Sequence, residues 1–396
     1  MQVTISVGGR FHAFYLAQQL LKREYLKQLI TSYPKFEVAK YGIPKGKVSS
    51  VIIMELMARI WYRFPTVINC FYNPQYLIHE VFDKCASHRY TKSDICIAFS
   101  GFGLHTIKKA KEMGAITMIQ RDSTHMLWQT QIVTEEYEKY GLKFQGASAK
   151  FIEKTLEEYE EADYISIPSL FAKRTFLEMG IPEKKLIHVP FGVHLDEFKQ
   201  APKEDNIFRI VYAGGMTLRK GVHYLLKAFS ELNLPDSELL LVGGLSEEIK
   251  PFFKKYEGNF RWIGHIPQQE LCKNYSQSSA FVLNSIEDGF GMVMVQAMAC
   301  GLPVVCTKNT GGEDIIRDGK EGFIIPIRDV EALKEKILYL YENSDICNEM
   351  GQLAKERVSK GFTWDDYGDR MIAKFRDILN EKVTSSRKEY NYQCLH

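Results

Sequence analysis

The chain is 396 residues long, 45% hydrophobic and 25% charged, with a formal charge of +2. That length divides into two or three domains, each able to bury its own core. Fractions so close to the globular average exclude a disordered chain, a collagen-like repeat and a coiled coil.

The opening MQVTISVGGR has no basic stretch followed by an apolar run and a small-residue cleavage site, so it reads as a first strand and a cleaved secretion signal is not expected. Strand Val3–Val7 leads through Gly8-Gly9 into a helix from Phe11 to Lys22. The most apolar window, Val48 to Tyr72, is broken by Glu55, Arg59, Arg63 and Pro65 well short of the roughly 20 apolar residues that span a bilayer, so no transmembrane helix is expected. From Val48 to Phe64 the pattern is helical, with Glu55, Arg59 and Arg63 on one face and Ile52, Ile53, Leu56, Ile60 and Trp61 opposite. Two readings stand. The helix packs its apolar side on a sheet, or it rests on an anionic membrane with Trp61 and Tyr62 as interfacial anchors.

Further short apolar runs follow at Ile95–Phe99, Ile116–Ile119 and Tyr164–Ile167, then at Ile210–Ala213, Leu239–Val242, Ala280–Leu283 and Pro303–Cys306. Amphipathic segments separate them, among them Leu104–Met113 after the Gly101 or Gly103 turn. Strands alternating with helices predict an α/β chain of two doubly wound parallel sheets. The turns then lie at the carboxyl edges of the sheets, where ligands bind. A turn-rich, charged stretch from Pro190 to Asn206 separates a first domain, 1–193, from a second, 206–363. The helical period over 364–383 is expected to pack back on the first domain, and 384–396 read as a polar tail.

Eight cysteines, at positions 70, 85, 96, 272, 300, 306, 347 and 394, form no CxxC pair, so neither a zinc nor a dithiol site is expected and a reduced cytoplasmic setting is the simplest. Net charge conceals an asymmetry. Residues 1–100 hold 13 Lys or Arg against 6 Asp or Glu, and the rest hold 38 against 43. A basic first quarter suits an anionic lipid carrier or a peripheral contact with an anionic membrane surface. No nucleic-acid motif accompanies it, and nucleic acid is not an expected partner.

The segment NSIEDGFGMVMVQAMACGLPVV places an acidic pair before a Gly-Phe-Gly turn and the start of a helix. A helix amino terminus offers free N–H groups and a positive dipole end, so the turn Gly289, Phe290, Gly291, Met292 can receive a phosphate. Asp288 can then accept hydrogen bonds from hydroxyls nearby, and Gln296, two turns on, can address a ribose. Phosphate, sugar and ribose together describe a nucleotide-sugar. AGGMTLRKG follows a strand and carries Arg219 and Lys220, which can neutralise a departing diphosphate in the role a metal often plays. It lacks the spacing of a P-loop. TGGED supplies another N–H-rich turn at Gly311, Gly312 and Glu313. Each fragment alone is as well explained by a solvated loop or an acidic helix cap.

In order along the chain, these fragments resemble the retaining glycosyltransferases of family 4, whose GT-B architecture sets two Rossmann-like domains across a cleft. RKG, LLLVGG, WIGHIPQQELCKNYSQSSAFVLNSIEDGFG, QAMACGLPVVCTKNTGGEDIIRDGKEGFIIP and FTWDDY carry the resemblance in the second half; GGRFHAFYLAQQL, QRDSTHM and HVPFGVHLDEF carry it more loosely in the first. The resemblance implies a donor held mainly on the second domain and a glycan or lipid-linked acceptor facing the first. The family's two glutamates, one on the donor sugar and one on the ribose, fall here at Asp288 and Gln296. A register one residue earlier puts Glu287 in the first role and Val295 in the second, but aligning Gly-Phe-Gly favours Asp288 with Gln296. Of the family's basic pair the earlier position is Gly215, and Arg219 beside Lys220 substitutes. His125 corresponds to a first-domain histidine near the donor sugar, and Gly8, Gly9 and Arg10 bring backbone close to phosphate or acceptor.

Catalytic roles are thus expected for His125, Arg219, Lys220 and Asp288. No D-x-D sequence occurs, so a metal-independent, front-face transfer that retains the anomeric configuration is expected, with no cofactor and a hexose-type sugar as cargo in polysaccharide or glycolipid assembly. A nucleotide-sugar epimerase or hydrolase on the same frame, or a non-catalytic nucleotide-sugar-binding protein, are the competing readings.

Overall fold

The structure, a computed structural model, describes residues 1–61 and 74–393. Its first sheet has seven parallel strands, β1 (Val3–Val7), β2 (Leu26–Thr31), β3 (Val48–Ser50), β4 (Ile95–Phe99), β5 (Ile116–Gln120), β6 (Tyr164–Ile167) and β7 (Leu186–His188). Their spatial order is β3-β2-β1-β4-β5-β6-β7. The second sheet has six, β8 (Phe208–Ala213), β9 (Ser237–Val242), β10 (Arg261–Trp262), β11 (Ala280–Leu283), β12 (Val304–Thr307) and β13 (Gly322–Ile325). They run β10-β9-β8-β11-β12-β13, again all parallel.

Helices cover both faces of each sheet, which is why VTISV, ICIAF and ITMIQ are buried at every position rather than at alternate ones. Strand order reverses between β1 and β4 in the first sheet and between β8 and β11 in the second. A crevice forms at such a reversal, outside the carboxyl ends of the strands. The loops that leave β1, β4, β8 and β11 therefore meet in the same region of the molecule.

Five strands are absent from the sequence reading. β3, β7 and β10 are edge strands of two or three residues, too short for a period to register. β2, LKQLIT, carries Lys27 and Gln28 within its apolar run; Gln28 is buried because its amide donates to Ser49 Oγ at 2.7 Å and to the Arg89 carbonyl at 2.9 Å. β13 begins at a glycine that follows a charged turn. Val48–Ser50 is thus a strand, and the helix expected from Val48 runs from Ile53 to Trp61. Ile52, Ile53 and Leu56 are 43, 47 and 55% exposed, so these apolar side chains face outward rather than onto the sheet. Glu55 and Arg59 form the expected i,i+4 pair at 3.8 Å. Tyr62 and Arg63 lie outside the described residues.

The last helix runs from Trp364 to Gln393, continuing through 384–393, where the sequence suggests a polar tail. Apolar residues spaced by three and four, Tyr367, Met371, Phe375 and Ile378, turn one stripe inward, and all four are buried. Lys22 with Asp365 at 2.9 Å and Arg23 with Asp369 fasten it to the first-domain helix Ala13–Lys22 and the residue after it. Val193 N donates to the Phe362 carbonyl at 2.7 Å, so the two crossings between domains run side by side. Among the described residues no helix is long and apolar enough to cross a membrane.

Candidate active site

The loop after β8 is pinned onto the end of β11. Thr217 caps the short turn Leu218–Lys220, and Gly221 follows at φ +66°, where a Cβ would lie 1.8 Å from the Asn284 carbonyl oxygen. Only glycine fits both the left-handed conformation and that approach. Ile286 N then donates to the Arg219 carbonyl at 2.9 Å, which sets the basic pair beside the acidic one. Arg219 Nη1 is 2.8 Å from Glu287 Oε2, and Lys220 forms an ion pair with Asp288. Asp288 Oδ1 also accepts from the amides of Phe290, at 3.3 Å, and Gly291, at 3.0 Å. Two of the amides expected to receive phosphate are therefore satisfied by Asp288 itself. Gly291, at φ +77°, opens the helix Met292–Ala299 that carries Gln296.

Glu287 has a different environment from the one its alternative register suggests. Its Oε1 accepts from Ser123 Oγ at 2.8 Å and Thr124 Oγ1 at 2.7 Å, and its Oε2 accepts from Gln129 Nε2 at 2.8 Å as well as from Arg219. The carboxylate is buried and saturated, so it joins the domains instead of facing a donor. Burial pushes its pKa up, but the Arg219 charge and the donors from Gln129 and Thr124 outweigh it and hold the group at about 2. Beside it Gly289 meets the first domain so closely that a Cβ would lie 2.3 Å from the Asp122 carbonyl oxygen. The Gly289 carbonyl in turn accepts from Ser169 Oγ at 2.6 Å.

Two cavities open along this junction. The smaller, 360 Å³, brings Asp288, Phe290, Gly291, Met292 and Gln296 of the second domain opposite Arg10, Phe11 and His12 of the first. The larger, 750 Å³, lies mainly in the first domain and is walled by Phe11, Phe99, Phe102, Phe144 and Phe151, with Gly8 and Gln129 in its lining and Arg219 reaching in from the second. Phe11 and Asp122 line both. Phe11 is 54% exposed at φ +41°, a conformation few bulky residues adopt, and its ring stacks on Phe99 at 6.0 Å. Asp122 Oδ2 stands 3.2 Å from His12 Nδ1.

The fold thus brings Arg219, Lys220, Asp288, Phe290, Gly291, Met292 and Gln296 together. Gly9 lies one residue from both cavities, its carbonyl accepting from Thr31 Oγ1 at 2.8 Å. A further four expected residues line neither cavity. His125 is buried as the cap of the helix Met126–Glu138, its Nδ1 accepting from Leu127 N at 3.3 Å and its ring packed on Tyr159 and Phe176. It lines neither cleft cavity, and burial, aided by Arg121, lowers its pKa to about 4. Gly311 and Gly312 are also buried; their amides donate to the Phe290 carbonyl and to Thr310 Oγ1 and are not free for phosphate. Glu313 pairs across the domain boundary with Arg174. Conversely, His12, Phe11 and Asp122 were not singled out. The signal was present, since Phe11 and His12 follow the Gly8-Gly9 turn and Asp122 lies two residues past β5, all at the carboxyl edge.

Among the described residues one group of possible metal ligands converges, Glu80, Asp83 and His105. Lys154 Nζ already sits 2.9 Å from Glu80 and 3.0 Å from Asp83, which supplies the positive charge a cation would bring.

Residues 194–357 match the family of glycosyl transferases group 1. An uncharacterized glycosyltransferase of Methanocaldococcus jannaschii is 23% identical over 258 residues, 61% of this chain and 64% of its own length. A GDP-mannose-dependent alpha-(1-6)-phosphatidylinositol monomannoside mannosyltransferase of Mycolicibacterium smegmatis is 25% identical over 239 residues, 53% of this chain and 61% of its own. The chain thus spans less than two thirds of the length of these curated relatives. The solved structure of HepE from Anabaena in complex with UDP-glucose superposes with a TM-score of 0.69 at 14% identity, over 95% of this chain and all of that one. The second domain, 194–357, is thus similar to the glycosyl transferases group 1 family, and the two facing sheets have the GT-B architecture.

Proposed function

We propose that the protein is a retaining, metal-independent glycosyltransferase that moves a hexose-type sugar from a nucleoside diphosphate-sugar to an acceptor hydroxyl. The observation that carries this reading is the pair of ion pairs, Arg219 with Glu287 and Lys220 with Asp288, standing between a cavity that both domains line and one that lies mainly in the first. The nucleoside occupies the smaller cavity, with Gln296 toward the ribose. The diphosphate draws Lys220 away from Asp288, which frees that carboxylate to accept from sugar hydroxyls. Arg219 and Lys220 stabilise the negative charge that develops on the leaving group, the largest effect such a site offers. The acceptor hydroxyl approaches from the larger cavity, on the face the leaving group departs from, so the anomeric configuration is kept.

Aromatic walls in the larger cavity suit the apolar faces of a sugar ring or the start of a lipid chain. A lipid-linked acceptor used at a cytoplasmic membrane face is the reading that also accounts for the basic first quarter, and exposed Ile52, Ile53 and Leu56 support it. Thermal shift with UDP-, GDP- and ADP-sugars tests the donor, because a ligand that binds only the folded state raises Tm. Turnover of that donor with and without EDTA tests metal independence, and product anomers read by NMR test retention. No stabilisation by any sugar nucleotide overturns the reading.

A further inference from the structure

Resting on that reading, we propose that Glu287 is a positioning residue that couples closure of the two domains to the placement of Arg219. Ser123, Thr124 and Gln129 belong to one first-domain segment, and all three donate to a carboxylate of the second domain whose fourth partner is Arg219. With the cleft shut, both oxygens are engaged from two directions, so the plane of the carboxylate is fixed and the guanidinium with it. Parting the domains strips three of four partners at once, and the Arg219 side chain, 35% exposed even in the closed form, loses its rigid counterpart. Gly289 against Asp122 places the donor turn on the same segment, so closure registers the turn and the cation together.

The boundary contains a built-in control. Glu136 of the first domain is also completely buried and also crosses the interface, meeting His223 Nε2 at 3.1 Å, Tyr224 Oη at 2.8 Å and Arg328 Nε at 2.6 Å. None of its partners lines either cleft cavity. Glue alone is expected of Glu136, glue plus positioning of Glu287.

The experiment uses the full chain and measures binding of UDP, GDP and ADP, and of the matching monophosphates, to the wild type and to E287Q, T124V, Q129L and E136Q. For the nucleotide that the wild type binds, E287Q and Q129L are expected to weaken the diphosphate at least tenfold and leave the monophosphate within twofold, because only the second phosphate reads Arg219. Adding E287Q to R219K is expected to cost less than twofold more. T124V and Q129L leave Glu287 charged and keep the test available if E287Q does not fold. Equal losses for mono- and diphosphate, multiplicative effects of E287Q and R219K, or the same selective loss in E136Q overturn the coupling and leave the glycosyltransferase reading standing. A wild type that binds no nucleoside diphosphate overturns both.

Discussion

Glu287 and Glu158 are the same residue, both completely buried and both held at a turn that borders the cleft, yet they titrate in opposite directions. Glu158, on the first-domain helix Ala149–Glu161, accepts from the backbone amides of Gly101 at 2.6 Å and Gly103 at 2.8 Å. Burial is the largest influence on each and pushes both upward. Amide donors pull Glu158 back only in part, and it sits at about 7, whereas the Arg219 charge carries Glu287 down to about 2. Lys154, the nearby cation, is engaged by Glu80 and Asp83. On the second-domain side of the cleft buried charge is balanced pair by pair; on the first-domain side a carboxyl serves as a hydrogen-bond acceptor close to neutrality. A cation in direct contact, and not burial, decides which.

Arg219→Met breaks that contrast most severely, because it leaves Glu287 buried with amide and hydroxyl donors but no cation, the condition of Glu158. Turnover is expected to fall about 10²–10³-fold with loss of charge stabilisation at the leaving group. Stability is expected to fall about 3–5 kcal/mol in urea unfolding, the usual cost of orphaning a buried charge. Adding E287Q to it should recover part of the stability and none of the turnover. Lys220→Ala comes next. Its partner Asp288 is only 17% exposed and keeps the Phe290 and Gly291 amides as donors, so turnover should fall about 10²-fold while stability falls by about 1–3 kcal/mol. A Lys220→Ala enzyme that turns over at the normal rate would remove the basic pair from the chemistry.

Acid and alkali separate the two glutamates without any change of partner. Glu287 has its folded value depressed, so its contribution is complete above 4.5 and is lost as pH falls from 4.5 toward 2. Glu158 has its folded value raised, so its contribution is complete below 4.5 and is lost as pH rises from 4.5 through 7. The full span corresponds to about 3 kcal/mol at 1.36 kcal/mol per pH unit. Glu158→Gln should therefore cost about 1 kcal/mol at pH 5, from the buried amide it introduces, yet flatten the decline between pH 5 and 8. Urea midpoints at those two pH values decide it, and an undiminished decline in E158Q would mean that Glu158 is not its source.

How far the cleft could be read from sequence follows the range of its contacts. Arg219 with Lys220, and Asp288 through Gln296, sit in two loops and the helix that follows the second, whose glycines and adjacent strands announce the carboxyl edge of one sheet, and their mutual approach follows from the reversal of strand order. The role of Glu287 could not be read, because its other partners lie 158 to 164 positions away in the first domain. Nothing in EDGFG distinguishes a carboxylate that turns toward a ligand from one that turns into a facing domain. TGGED shows the reverse case: its glycines suggest a phosphate turn, but the Phe290 carbonyl and the Thr310 hydroxyl accept from the amides a phosphate needs. The fold was legible where buried strands carry no charged residue, as in β1, β4 and β5, and illegible at β2, where Lys27 interrupts the run, and at β3, β7 and β10, where two or three residues complete a sheet edge.

His125 extends the comparison to a base and gives the smallest expected effect. Like Glu158 it has no counter-charge in contact; Tyr159 and Phe176 pack on its ring, and the charge that acts on it is that of Arg121, of the same sign as an imidazolium. Burial therefore wins, and the ring stays neutral down to about 4. A neutral, packed imidazole cannot lend positive charge to a leaving diphosphate near pH 7. With its folded value depressed, its contribution to stability is complete above 6.5 and is lost as pH falls from 6.5 through 4. His125→Asn keeps a side-chain acceptor for the helix cap while removing the titration and part of the packing. Turnover is expected to stay within about threefold while stability falls by about 1–2 kcal/mol and declines less steeply between pH 6.5 and 4. A hundredfold loss of turnover at unchanged Tm would return His125 to the active site and show that a buried ring can act there without lining either cavity.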